Sequence, residues 1–75
     1  MTRQEIKDRV MECASVIYKL YPSNYNSDVD NYVLAEDLWL TRTPSEYKED
    51  KQAGVTKEDY RIWISEQYNI FKDER

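Results

Sequence analysis

An all-helical fold is predicted, a small compact bundle of three main helices plus one short helix in a single domain over residues 1–75. Three observations predict it. Breakers are scarce, with one Gly and two Pro in the chain, which disfavours a turn-rich sheet. Apolar residues recur at steps of three and four, and no segment alternates with period two for long enough to make a strand. Four Ser or Thr residues stand where a helix start needs a side-chain oxygen.

The first helix starts at Thr2, with Glu5 three residues later as a capping box. Met1 and Ile6 occupy the positions of a hydrophobic staple. Ile6, Val10, Cys13, Ala14, Ile17, Leu20 and Tyr21 then form one stripe. Pro22 stops the helix near Tyr21, because the residue before a proline disfavours helical geometry. After a loop, Ser27 caps a second helix, with Asp28 and Asp30 in the first turn, where carboxylates suit the positive end of the dipole. It runs to about Leu40. Thr43-Pro44-Ser45-Glu46 starts a short third helix over 44–53, ended by Gly54. Tyr47 is its only sizeable apolar side chain, so it is the least stable element expected. Thr56 and Asp59 start the fourth, whose apolar face is Tyr60, Trp63, Ile64, Tyr68, Ile70 and Phe71. The polar tail Lys72-Asp73-Glu74-Arg75 is expected to fray.

Composition excludes several classes of function. There is no His and one Cys, so neither an intrachain disulfide nor a structural zinc site is expected. Cys13 has no imidazole to activate it and falls in a core stripe, and Gly54 is the only glycine, so no phosphate-cradling loop exists. No catalytic residue, cofactor or metal is expected, and the chain is read as no enzyme. The longest apolar runs are only a few residues, and no secretory signal is present, so a cytoplasmic protein without a membrane span is expected.

The net charge of −4 is unevenly spread. Residues 26–50 carry seven acidic and two basic side chains, whereas residues 1–25 are net +1 and 51–75 are neutral. The acidic set is Asp28, Asp30, Glu36, Asp37, Glu46, Glu49 and Asp50. It argues against direct nucleic-acid binding, which needs a basic stripe. It suits a basic protein surface.

The second helix has apolar residues nearly all round. Val29, Val33 and Leu40 lie on one side, and Leu34 and Leu38 almost opposite them, with Tyr32, Ala35 and Trp39 between. Such a helix is read as the central core helix, or as one whose Leu34 and Leu38, or Tyr32 and Trp39, face a partner. Glu36, inside the apolar arc, is expected to pair with a Lys or Arg or a Tyr hydroxyl. Aromatic residues are abundant, with seven Tyr and two Trp, the types that dominate binding hot spots. Tyr18, Met11, Tyr25 and Tyr47 lie off the core stripes and are the better contact candidates.

The candidate partner-binding residues are therefore Tyr25, Asp30, Leu34, Glu36, Asp37, Leu38, Trp39, Glu46, Tyr47, Glu49 and Asp50. The leading expectation is a non-catalytic regulator or inhibitor that binds a larger protein and competes with nucleic acid for a basic groove. The alternative is a self-associating subunit, a homodimer through the second helix. A helix-turn-helix DNA binder is third, because Glu46, Glu49 and Asp50 would face phosphates on its recognition helix.

Overall fold

Each helix begins where a hydroxyl oxygen meets its first free amides. The computed structural model describes residues 1–74. Among them are four helices and no strand: α1 Arg3–Leu20, α2 Asp28–Leu40, α3 Pro44–Ala53 and α4 Lys57–Asp73. Thr2, Thr43 and Thr56 close reciprocal capping boxes with Glu5, Glu46 and Asp59. The Ser27 hydroxyl oxygen accepts the Asp30 amide. Gly54 ends α3 at φ 73°, a left-handed conformation that costs a glycine little. α4 continues through Lys72 and Asp73, which were expected to fray, and the Glu74 amide donates back to the Ile70 and Phe71 carbonyls. Arg75, the last residue of that tail, lies outside the described residues.

α4 is the central helix. Its face of Tyr60, Trp63, Ile64 and Tyr68 packs against both α1 and α2. α1 contributes Ile6, Val10, Ala14 and Tyr18; α2 contributes Leu34 and Ala35. The expectation that α2 is central is thus corrected. Its buried face is narrow and includes the polar Asn31, whereas α4 offers three aromatic rings and an Ile. α1 and α4 start side by side, where the Arg3 guanidinium grips Asp59 at 3.0 Å. They end together where Tyr18 stacks on Phe71, centroids 5.2 Å apart. α2 runs the other way, and the Tyr18 hydroxyl donates to the Asn31 side chain across the α1–α2 seam.

The α1 stripe is rotated from the sequence reading. Ile6, Val10, Ala14 and Tyr18 are buried, whereas Cys13, Leu20 and Tyr21 are exposed. Steps of four drift by about 40° each around a helix of 3.6 residues per turn. By its last turn, α1 therefore faces the core with Tyr18 rather than with Leu20 or Tyr21. Tyr18 was expected to be a contact residue and is instead a core one.

α3 docks through a buried ionic cluster. Asp50 is 0% exposed. Its Oδ1 accepts from Arg9 of α1 at 3.0 Å, and its Oδ2 from Arg42 at 3.0 Å and from the Tyr60 hydroxyl at 2.5 Å. Arg9 also donates to the Tyr60 oxygen at 2.8 Å and lies 3.4 Å from both Glu46 and Glu49. Burial and the neighbouring carboxylate hold the Tyr60 hydroxyl in its protonated form, well above its ordinary pKa. Arg42 lies with its guanidinium 3.5 Å from the centre of the Trp39 ring and donates through Nε to the Trp39 carbonyl at 2.7 Å. One carboxylate thus joins α1, α3, α4 and the α2–α3 connection.

Removing it leaves two guanidiniums facing each other. Asp50→Ala is expected to cost about 3–5 kcal/mol, as much as a core of this size supplies. Circular dichroism should show most helicity lost, and Asp50→Asn should fall between. An unchanged urea midpoint for Asp50→Ala would show that the cluster contributes nothing.

Candidate functional site

α2 is apolar on two opposite sides, and only one of them is covered. Asn31, Leu34 and Ala35 are buried, and Leu38 and Trp39 are partly buried against the core. The opposite side carries Val29 at 73%, Val33 at 49% and Leu40 at 74% exposure. These three form a stripe about 16 Å long at 1.5 Å per residue. Tyr32 continues it round the helix and is half-exposed.

The surplus apolar surface anticipated on α2 therefore exists, but on the other side. Leu34, expected to be exposed, is 2% exposed and belongs to the core. It shares the buried face of α2 with Asn31 and Ala35. Trp39 is fixed between neighbours, with the Tyr60 ring edge-on at 5.2 Å and Arg42 on its face.

The two edges of the exposed stripe differ in charge. On one edge Glu36 accepts from Lys57 at 2.6 Å and Arg61 at 3.0 Å. Those donors hold its carboxyl below the usual range. Arg61 also donates to the Tyr32 hydroxyl at 2.5 Å and lies over that ring. Glu36 thus has the Lys and Arg partners expected for it, whereas the Tyr32 hydroxyl bonds Arg61 and not the carboxylate. On the other edge stand Asp30 and Asp37. Asp30 accepts from the Ser27 hydroxyl at 2.9 Å. Asp37 is exposed, and among the described residues neither has an ion-pair partner.

The acidic residues of α3 turn inward. Glu46, Glu49 and Asp50 all lie against Arg9, and buried Asp50 is removed from the candidate surface altogether. The reason is Arg9, which faces α3 from α1 and collects its carboxylates. α3 presents Pro44, Ser45, Tyr47, Lys48, Lys51 and Gln52 to solvent. Tyr25 is half-buried, edge-on to Tyr18 with centroids 6.0 Å apart, and Met11 packs partly against the core.

A cleft of about 250 Å³ opens between α1 and α2, lined by Val10, Cys13, Leu38, Thr41 and Tyr60, with Arg9 and Arg42 on its wall. Both guanidiniums are already committed to carboxylates. Partial burial, and then the neighbouring Glu46, push the Cys13 thiol up, so it is a poor nucleophile. Among the described residues no group of His, Cys, Asp and Glu could hold a metal ion. Among them, too, no helix is long and apolar enough to cross a membrane. No family model, no curated protein and no solved structure matches the chain.

Two predictions test this geometry. Leu34→Asp places a charge in the core and should unfold the domain, whereas Leu40→Asp should leave the melting temperature within a few degrees of the wild type. Equal loss in both would mean that the outer face of α2 is covered. The second concerns pH. The carboxyls of Glu36 and of Asp59, beside Arg3, sit below their ordinary values. Groups depressed in the folded state stabilise it above their unfolded pKa, about 4, and lose that contribution as pH falls through the folded value. Melting temperature should be flat from neutral pH to about 5 and fall below about 4. Glu36→Gln should make that fall shallower, and an unaltered acid limb would exclude Glu36 from it.

Proposed function

We propose that the chain is a non-catalytic protein-interaction module, a small regulator or inhibitor that occupies a surface of a larger protein with the outer face of α2. The observation that carries this reading is the exposure of Val29, Val33 and Leu40 along one side of a helix whose other side is already in the core. A soluble domain gains nothing in stability from such a stripe, and contiguous exposed apolar surface marks interaction sites. The cytoplasm fits the lone Cys13 thiol.

Competition with nucleic acid for a basic groove is the narrower version, and it has less support. Most carboxylates of the acidic middle third are engaged within the molecule: Glu46, Glu49 and Asp50 by arginine, Glu36 by Lys57 and Arg61, and Asp30 by the Ser27 cap. A self-associating subunit is the second reading. It is favoured by the exposed Val29, Val33 and Leu40 on one side of α2, although Glu36 interrupts the four-three-four spacing of a coiled-coil seam.

The test is affinity capture from the native host with Val33→Asp as control. A protein held by the wild type and released by this folded variant supports the module. Solution mass that doubles with concentration, and returns to monomer in Val33→Asp, supports self-association. Identical captured proteins for both forms would remove the α2 face from consideration.

A further inference from the structure

We infer that the occupant of the outer face of α2 is an amphipathic helix of another protein, basic along the flank that meets Asp30 and Asp37. This rests on the interaction-module reading and adds the partner's chemistry to it. α2 carries four carboxylates and no basic residue. The one carboxylate on the α4-facing edge, Glu36, is matched internally by Lys57 and Arg61. The opposite edge has no such cation: Asp30 is held only by the neutral donors of the Ser27 cap, and Asp37 has no ion-pair partner among the described residues. Asp30 and Asp37 lie seven residues apart, about 10 Å along the axis, parallel to the Val29–Val33–Leu40 stripe. A partner that covers the stripe must bring something to that edge. Cations two turns apart on a helix repeat at the same distance, so a helical segment with apolar residues in its centre and Lys or Arg along one flank fits both features.

Charge offers the other occupants no such match. A second copy pairing α2 with α2 antiparallel about a two-fold axis brings identical edges together. Asp30 then faces Asp37 of the other copy, and like charges juxtaposed in this way are unfavourable. A parallel pairing sets the acidic edge against Glu36 and two cations already committed to it. Nucleic acids and anionic lipid surfaces meet the same carboxylates with repulsion.

The probes are three synthetic helical peptides sharing one length. The first has a Leu stripe flanked by Lys, the second the same stripe flanked by Glu, and the third the Lys flank with Ser in place of Leu. Binding is followed by fluorescence anisotropy, and the site by amide chemical shifts of the full chain. Only the first peptide should bind, with shifts confined to the outer face of α2 from Val29 to Leu40. Asp37→Lys should weaken it about tenfold at low salt, and the difference should shrink as salt rises. Glu12→Lys, an equal change of net charge on exposed α1, should have no such effect.

Several results would overturn the inference: equal binding of the Lys and Glu peptides, binding of the Ser peptide as tight as the Leu one, equal weakening by Asp37→Lys and Glu12→Lys, shifts elsewhere, no binding by any peptide, or a second copy occupying the face. The broader reading fails separately. If the captured host protein is lost with Val33→Asp yet unaffected by Asp37→Lys, the module stands and its basic helical partner does not.

Discussion

The carboxylate of Asp50 is the constraint on which the arrangement of the chain depends. A buried ionised group is tolerated only when its neighbours replace the water it has lost. Here the replacements come from separate parts of the sequence: Arg9 on α1, Arg42 after α2, and Tyr60 on α4. The consequence for α2 is direct. Arg42, held by Asp50, presses its guanidinium on Trp39, and Tyr60 meets the same ring from the side. The C-terminal turn of α2 is thereby fixed in rotation.

The other end of α2 has its own polar anchor. Asn31 accepts the Tyr18 hydroxyl and donates its amide to the Ser27 carbonyl at 2.8 Å. A helix with apolar residues on both sides has no strong hydrophobic preference for which side turns inward. Two buried polar contacts, one near each end, supply that preference. They cost desolvation and return orientation, much as a single buried polar residue can set register in a coiled coil. The exposed stripe is therefore the face left over once both anchors are made.

This explains what was legible in the sequence. The helix limits were, because caps are local: a hydroxyl, the amides behind it and a carboxylate three residues on are read within one turn. The direction of α2's faces was not. Leu34 with Leu38 and Val29 with Val33 look equivalent to a hydrophobic pattern, and Ala35 and Asn31 were the only marks of the inward side. A small residue beside a polar one able to bond across a seam was the signal available. The acidity of the middle third misled for a related reason. Charge per segment says nothing of which cations fold back onto it, and Arg9 lies far from Asp50 in sequence.

The cluster around Asp50 also has a consequence for descent. Its members satisfy one another, so replacing any one alone removes a bond from a buried group, while replacing all of them together rebuilds the end of the bundle. Lineages that keep this architecture should hold Arg9, Arg42, Asp50 and Tyr60 as an inherited set, even after the remaining positions have diverged. Their separations along the chain are thus a fingerprint by which distant cousins can be recognised.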